Sequence, residues 1–263
     1  MYKIIQSNKN KYFKHVKSLL VKKYRDLTNQ YLIEGTKIIK EAMSYNAKIH
    51  MLLFSSEQSD NKEISDIVEM MDYNKVSVYQ VDKSIFKEIS DTDTPQGIIG
   101  VLEKPLYEVK DIYDKDFLRE IVLDEVSDPG NLGTIIRTAD ACNYDLVLLS
   151  KGCVDLYNGK SLRATMGSLF HLPILVNANV KQIINELKNR SIAVYGANAH
   201  KGDALYDIRF DNRTAIVIGN ESTGLSNDSL ESIESMIRIP MPGKAESLNA
   251  SVAASIIMYE SIR

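Results

Sequence analysis

Short runs of apolar, β-branched residues recur through the second half of the chain, each followed by a segment with helical spacing. Residues 121–126 form such a run, and the apolar residues of 134–142 then recur every three or four positions. This alternation is typical of parallel strands that are covered by helices on both faces. It predicts strands at 121–126, 145–149, 174–176, 192–197, 215–218 and 237–239, and helices at 134–142, 159–170, 180–188, 227–233 and 247–262.

The first half of the chain alternates strands and helices in the same way, and its first predicted helix covers 9–21. Further strands are predicted at 31–34, 49–54, 76–80 and 97–102, and further helices at 36–43, 63–71 and 83–89. A proline and many charged residues separate the two halves. We therefore predict an α/β protein with a small α/β domain at 1–104, a linker at 105–117 and a parallel-sheet domain at 118–263.

Composition excludes several classes of protein. With 44% hydrophobic and 25% charged residues, the chain has the composition of a soluble globular protein. The two cysteines form no CxxC pattern, which argues against a disulfide scaffold and against zinc. The four histidines lie far apart, so we expect no metal. No apolar run reaches membrane-spanning length, so we expect a cytoplasmic protein that does not bind membranes.

Basic residues are concentrated at the N-terminus, although the net charge of the chain is −3. No acidic residue precedes Asp26, whereas lysines recur along the predicted helix at 9–21. Such a run is either the solvated face of a helix or a surface that contacts phosphates. The candidates for RNA contact are Lys9, Lys11, Lys14 and Arg25, together with Arg163 from the second half.

Three loops rich in glycine and polar residues follow predicted strands, at 127–133, 219–226 and 240–249. Parallel strands end at one edge of a sheet, so these loops can form a single site there. Each loop alone could be an ordinary connection that ends in a helix cap, with Ser226 and Ser247 as the capping residues. The loops lack the GxGxxG and GxxxxGK[ST] phosphate patterns. Their apolar side chains and backbone amides suit a neutral or zwitterionic ligand with an adenine-like ring.

The segments DPGNLGTIIRTADA, IVIGNESTGLS and IPMPGKAESLNASVAASI resemble, in order, the three motifs of the SpoU/TrmH family of RNA ribose 2′-O-methyltransferases. The segments YLIEGTKIIKEA and TPQGIIGVL are similar to the substrate-binding domain fused to many of these enzymes, which resembles a ribosomal RNA-binding protein. This resemblance implies a catalytic domain with a deep trefoil knot, S-adenosyl-methionine as cofactor and a homodimer. It also implies an RNA substrate, with rRNA favoured over tRNA.

The resemblance also assigns roles to single residues. It implies that the cofactor is bound by Gly219, Ile239 and Leu248, by their neighbours Asn220 and Met241, and by Ala197 and Asn198. Arg137 matches the arginine to which the family assigns catalysis, and we predict that, one turn into its helix, it points back over the loop that carries Asn131. The residues implied to hold this arginine, the loops and the RNA are Asn131, Glu221, Ser247 and Asn249.

Two other functions remain open at this point. One is a catalytically inactive protein that binds RNA or ribosomes and retains the methyltransferase fold. The intact Asn131, Arg137, Glu221 and Asn249 argue against it. The other is a nucleotide-binding domain of unrelated chemistry, which the missing phosphate patterns disfavour.

Overall fold

The computed structural model describes residues 2–108 and 110–263, and the chain divides into two compact units. The first unit extends to Leu106 and also takes in Tyr157–Leu162. The second unit comprises Tyr107–Leu156 and Arg163–Arg263. The sequence-based domain boundaries, including the linker at 105–117, stay predictions.

A mixed five-stranded sheet lies at the centre of the first unit. Its elements are β1 (Lys3–Ile5), α1 (Lys11–Ser18), α2 (Lys22–Thr28), β2 (Gln30–Glu34), α3 (Thr36–Ser44), β3 (Ile49–Ser55), α4 (Lys62–Tyr73), β4 (Ser77–Val81), α5 (Lys83–Phe86) and β5 (Ile98–Glu103). The strand order is β1-β4-β3-β5-β2, with β5 antiparallel to both of its neighbours. Phe13, Val16 and Leu19 of the N-terminal segment are buried against Leu53 and Tyr79 of this sheet.

The helix predicted at 9–21 is shorter, because α1 ends at Ser18 and a separate helix, α2, begins at Lys22; Arg25 explains part of the difference. Its Nη1 donates hydrogen bonds to the carbonyl oxygens of Leu19 at 2.8 Å and Leu20 at 2.9 Å, just after α1 ends. Carbonyls at a helix end need such partners, and a buried guanidinium supplies them. Only 6% of Arg25 is exposed. Its predicted contact with RNA is therefore wrong, because the side chain is directed at the protein's own backbone.

A seven-stranded, fully parallel sheet forms the second unit, which confirms the predicted fold class. Its elements are α6 (Lys110–Tyr113), β6 (Leu118–Leu123), α7 (Pro129–Ala141), β7 (Leu146–Ser150), β8 (Ile174–Ala178), α9 (Val180–Asn189), β9 (Ala193–Ala197), β10 (Asp203–Ala204), β11 (Arg213–Ile218), α10 (Asn227–Ser232), β12 (Ser235–Arg238) and α11 (Ala250–Ser261). The helix α8 (Gly159–Thr165) begins in the residues assigned to the first unit and ends in the second. The strand order is β10-β12-β9-β11-β6-β7-β8, and every pair is parallel. The ends of β6, β9, β11 and β12 thus lie together near the middle of the sheet.

Two local differences from the sequence-based elements have simple causes. The helix predicted at 159–170 ends at Thr165, because Met166 and Gly167 adopt φ angles of 53° and 99°, outside the helical region. The strand β10 was not predicted, since it has only two residues and no alternating pattern.

Two kinds of feature are missing from residues 2–108 and 110–263. No helix there has the length and apolar character needed to cross a bilayer. The same residues contain no group of three or more His, Cys, Asp or Glu side chains arranged to hold a metal ion.

Candidate active site

A cavity of about 320 Å³ opens where β9, β11 and β12 end, walled by the loops that follow these strands and by α11. Its volume lies in the usual range for small-molecule sites, about 300–1,000 Å³. The structure brings all the residues predicted to bind the cofactor into its wall, namely Ala197, Asn198, Gly219, Asn220, Ile239, Met241 and Leu248. Glu221 and Ser247 also line it. The loops at 219–226 and 240–249 therefore meet at one site.

The wall formed by residues 219–225 is a tight loop that requires glycine. A Cβ on Gly219 would lie 2.3 Å from the carbonyl carbon of Gly224 and 2.4 Å from the amide nitrogen of Leu225. The backbones of Asn220 and Gly224 exchange two hydrogen bonds, of 2.9 and 3.0 Å. Gly224 itself has a φ of +73°, which side chains rarely adopt. The loop thus presents backbone atoms to the cavity in a fixed shape.

Glu221 joins the loops at the edge of the cavity. Its Oε1 accepts hydrogen bonds from Asn131 Nδ2 at 2.9 Å and from the amide nitrogen of Asp128 at 3.1 Å. Its Oε2 accepts from the amide nitrogen of Ser127 at 3.1 Å and from Ser127 Oγ at 2.9 Å. Asn249 Nδ2 in turn donates to Asn131 Oδ1 at 3.0 Å. These bonds tie the three motifs to one another.

This network keeps Glu221 ionised well below the pH at which an ordinary glutamate is protonated, because it lowers the pKa of the carboxyl group. Partial burial raises the pKa of its carboxyl group. Hydrogen bonds from Asn131, the Glu221 backbone, Ser127 and Asp128 together have the larger effect and lower the pKa to about 2. A carboxylate with so low a pKa is a poor proton acceptor near pH 7. Glu221 therefore holds the loops together rather than acting as a general base.

The helix that carries Arg137 begins earlier than predicted. α7 begins at Pro129, capped by Asp128, whose side chain accepts a hydrogen bond from the amide nitrogen of Asn131 at 2.8 Å. Asn131 thus lies in the first helical turn rather than in a loop, and it is buried. Arg137 follows six residues later, about 240° around the helix. The prediction that Arg137 points back over a loop carrying Asn131 is therefore wrong, because Asn131 is part of α7 and the two residues lie on different faces of this helix.

Arg137 lines a second concave surface, a groove of about 720 Å³ between the outer faces of α7 and α11. The groove is also lined by Thr134, Thr138, Ser255, Ile256 and Tyr259, with Ala164 and Tyr206 at its side. The arginine is exposed, and within residues 2–108 and 110–263 it forms no ion pair. Its guanidinium thus faces the surface, away from the bonds that join Asn131, Glu221 and Asn249.

α11 separates the cavity from the groove. Ala250, Ala253 and Ile257 on one face line the cavity, whereas Ile256 and Tyr259 on another face line the groove. At about 100° per residue, Ala250, Ala253 and Ile257 fall within about 60° of one another around α11, and Ile256 and Tyr259 fall on the adjacent face. α11 packs closely on α7, where Thr138 Oγ1 and Ser255 Oγ are 3.0 Å apart.

The cap of α11 is Asn249 and not Ser247. Asn249 Oδ1 accepts hydrogen bonds from the amide nitrogens of Ser251 at 2.9 Å and Val252 at 3.3 Å. Ser247 lies two residues before the cap and lines the cavity. Serine and asparagine are equally good capping residues, so sequence alone could not choose between them.

Sequence reasoning did not single out several residues of the cavity wall. Ala199 and His200 follow β9, and Ser222 and Thr223 lie at the tip of the loop at 219–226. Ser222 and Thr223 fall within the motif IVIGNESTGLS, so this motif could have indicated that they line the site. His200 had no such signal, because no partner for it is close in the sequence.

Most candidates for RNA contact lie on the surface. Lys9, Lys11 and Lys14 are exposed near or on α1, and Arg163 is exposed on α8. Lys17 differs from the other lysines of α1, because it forms an ion pair with Glu88.

Comparison with known proteins matches each half of the chain to a known family. Residues 119–259 match the SpoU rRNA Methylase family, and residues 10–100 match the MRM3-like substrate binding domain. The 23S rRNA (guanosine(2553)-2′-O)-methyltransferase RlmP of Bacillus subtilis (strain 168) is 35% identical over 98% of each chain. The 23S rRNA (uridine(2479)-2′-O)-methyltransferase of Streptomyces viridochromogenes is 27% identical over 91% of this chain and 84% of its own.

Solved structures agree with these matches. The AdoMet-bound rRNA methyltransferase from Sinorhizobium meliloti has a TM-score of 0.87 and 29% identity, over 99% of this chain and 97% of that one. The SpoU methyltransferase AviRb from Streptomyces viridochromogenes, in complex with AdoMet, has a TM-score of 0.84 and 29% identity, over 96% of this chain and 97% of that one. The resemblance seen in the three motifs is thereby confirmed: the chain belongs to the SpoU rRNA methylase family.

Proposed function

We propose that this protein transfers a methyl group from S-adenosyl-methionine (AdoMet) to a ribose 2′-hydroxyl of rRNA, within the cytoplasm. The observation that carries the proposal is the cavity whose wall contains Gly219, Ile239 and Leu248, closed at its edge by the Glu221 network. Relatives along almost the whole chain are named as 23S rRNA 2′-O-methyltransferases. No observation favours an inactive protein, because Asn131, Glu221 and Asn249 are all engaged in the site.

The cavity fits AdoMet in size and in chemistry. Apolar side chains of Ile218, Ile239 and Leu248 provide surfaces for an adenine ring, and the backbone of the loop at 219–225 provides hydrogen-bonding groups. AdoMet supplies an activated methyl group carried on a sulfonium. The protein's contribution is to position the two reactants, which is worth about 7–11 kcal/mol at best.

Arg137 is the residue that we propose for catalysis. A guanidinium stays charged in proteins, since its pKa is above about 12, so Arg137 is not a base. Exposed and without an ion-pair partner in the described part of the chain, it can bind an RNA phosphate and stabilise negative charge that develops on the 2′-oxygen. The hydroxyl proton then leaves to water or to the neighbouring phosphate.

A homodimer accounts for the position of Arg137. The residue lines the groove and not the cavity of its own chain. Tyr206 and Tyr259 beside it are 63% and 68% exposed, and large exposed apolar surfaces commonly mark protein interfaces. We propose that the groove receives a second copy of this chain, so that Arg137 of one protomer serves the cavity of its partner.

We also propose that the second unit contains the deep trefoil knot. β12 pairs with β9 on the side away from β11. The next helix, α11, nevertheless packs on α7 and β11, so the chain returns across the sheet after β12, which supports the knot.

The first unit is proposed to select the RNA. It matches the MRM3-like substrate binding domain, and Lys9, Lys11 and Lys14 give its N-terminal segment an exposed basic surface.

Substitution of Arg137 tests the proposed function. We expect Arg137→Ala to lower the rate of methyl transfer to ribosomal RNA at least tenfold, a loss of about 1.4 kcal/mol or more in transition-state stabilisation. AdoMet binding, measured by calorimetry, should stay near the wild-type value. Arg209→Ala is the matched control, because Arg209 is also exposed but lines neither the cavity nor the groove.

The RNA substrate would be 23S rRNA from cells that lack the gene, and transfer of labelled methyl groups would be followed by mapping of ribose methylation. Wild-type protein that binds AdoMet but methylates no ribose would contradict the activity. A rate above about one tenth of wild type for Arg137→Ala would contradict the role of the arginine.

A further inference from the structure

Asp124 lies directly behind the cavity wall and has no part in the function described above. It follows β6 immediately and is 0% exposed. Its amide nitrogen donates a hydrogen bond of 2.8 Å to the carbonyl oxygen of Ile218, the last residue of β11 and part of the cavity wall. Asp124 is therefore one residue away from the cavity at the point where the loop at 219–225 leaves the sheet.

The carboxylate of Asp124 binds the other end of the same loop. Its Oδ2 accepts hydrogen bonds from the amide nitrogen of Ser226 at 2.8 Å and from Ser229 Oγ at 2.7 Å. Ser226 follows Leu225, which lines the cavity, and it caps α10. Ser229 is 0% exposed. The carboxylate thus determines where the loop rejoins the protein.

The next residue, Glu125, adds a contact at the start of the loop. The carbonyl oxygen of Glu125 accepts a hydrogen bond from Asn220 Nδ2 at 2.8 Å. Residues 124 and 125 together therefore bind the loop on both sides of the segment that faces the cavity.

The environment of Asp124 is costly for a carboxylate. Its Oδ1 is buried, and in the described part of the chain it has no hydrogen-bond partner. Burying a carboxylate with incomplete hydrogen bonding is unfavourable. An apolar residue at this position would avoid that cost, but it would leave the Ser226 amide and the Ser229 hydroxyl without their acceptor.

We propose that Asp124 is a positioning residue for the methyl donor, which acts by holding the loop at 219–225 in the shape that binds AdoMet. The proposal rests on the proposed function, because that function names the ligand of the cavity. Asp124 touches neither reactant, and its influence passes through Ser226 and Ser229.

A matched pair of serine substitutions on α10 tests this role. Ser229 and Ser232 are both buried, but Ser232 Oγ donates to the carbonyl oxygen of Asp228 within the same helix at 2.6 Å. We expect Ser229→Ala to weaken AdoMet binding by about five- to tenfold in calorimetry. Ser232→Ala should leave it within about twofold of wild type. Combining Ser229→Ala with Asp124→Asn should weaken binding less than the sum of the two separate effects, because both act on one contact.

Hydrogen exchange of the cofactor-free protein supplies a readout independent of the ligand. Amides of residues 219–226 should exchange faster in Ser229→Ala than in wild type, and at the wild-type rate in Ser232→Ala. Equal effects of both serine substitutions on exchange and binding would overturn the proposal, as would unchanged exchange in Ser229→Ala. Wild-type protein that fails to bind AdoMet would refute the proposed function instead, and the exchange data would still decide whether Asp124 holds the loop.

Discussion

Glu221 illustrates how a single residue organises the site through its charge. Its carboxylate accepts hydrogen bonds from Asn131, Ser127 and Asp128, which lower its pKa from 4.5 to about 2. A carboxyl group with a lowered folded-state pKa stabilises the fold above its unfolded pKa, and this stabilisation is lost as the pH falls towards the folded value. The contribution of Glu221 should therefore be complete at pH 7 and disappear between about pH 4.5 and pH 2.

We predict that Glu221→Gln lowers the free energy of unfolding by about 1 kcal/mol at pH 7, because the amide cannot accept all of these bonds. The difference from wild type should shrink at pH 3, because there the carboxyl group is protonated in the unfolded state, which lowers the cost of unfolding the wild type. Urea midpoints of both proteins at the two pH values measure it. Glu246→Gln is a suitable control on an exposed side chain, and it should show little difference at either pH. A difference for Glu221→Gln that is as large at pH 3 as at pH 7 would argue against the ionised network.

At the scale of elements, the sequence predicted which loops meet but not where every helix begins. β-branched runs identified the central strands, and parallel pairing then placed the loops at 219–226 and 240–249 at one edge. The start of α7 was placed too late, because Pro129 is compatible with both a loop and the first turn of a helix. The earlier start matters for Arg137 because it places Asn131 in the same helix. Successive residues of a helix are rotated by about 100°, so the side chains of Asn131 and Arg137 point in different directions.

Two helices, α7 and α8, approach each other closely at Gly133. A Cβ there would lie 2.3 Å from the Cβ of Ala164 and 2.6 Å from its carbonyl carbon. Gly133→Ala should destabilise the protein by about 1–3 kcal/mol, because α7 must move away from α8. In an open helix the same substitution would stabilise by up to about 1 kcal/mol, so the sign of the change in unfolding free energy is decisive. Gly243→Ala, which meets no atom within 4 Å, is the control.

The basic surface of the N-terminal segment, formed by Lys9, Lys11 and Lys14, is predicted to bind RNA phosphates. Replacing all three by Gln should weaken RNA binding and reduce the slope of log affinity against log salt by about 0.7 for each phosphate that a lysine no longer neutralises. The control replaces three other exposed lysines of the first unit, Lys62, Lys75 and Lys87, with the same change of net charge. Binding titrations at several salt concentrations distinguish the two sets. Equal slopes for both would mean that the N-terminal lysines are only a solvated helix face.

At the scale of the whole molecule, the cavity and the groove are two separate surfaces of one chain. The residues that surround the proposed cofactor are on one side of α11, and Arg137 is in the groove on the other. Sequence motifs could not reveal this separation, because Asn131 and Arg137 belong to the same motif and the turn of α7 directs them apart. A single chain thus presents the proposed cofactor site and the proposed catalytic arginine on separate surfaces, which favours a symmetric pair in which each protomer completes the other's site.

Charge placed in the groove should separate the chains without altering the cavity. Tyr259 is 68% exposed and lines only the groove, so Tyr259→Glu should oppose its burial against a second copy. We expect light scattering to show a dimer for wild type and a monomer for Tyr259→Glu. The variant should bind AdoMet normally but lose at least tenfold in methyl transfer, because Arg137 no longer reaches the partner's cavity. Tyr73→Glu, at a residue of the first unit that is 88% exposed, should remain dimeric and active. Two results would contradict the proposed dimer: a monomeric wild type, or a monomeric Tyr259→Glu with full activity. Either would mean that Arg137 and the cofactor of one chain act in a single site, contrary to the geometry of α7.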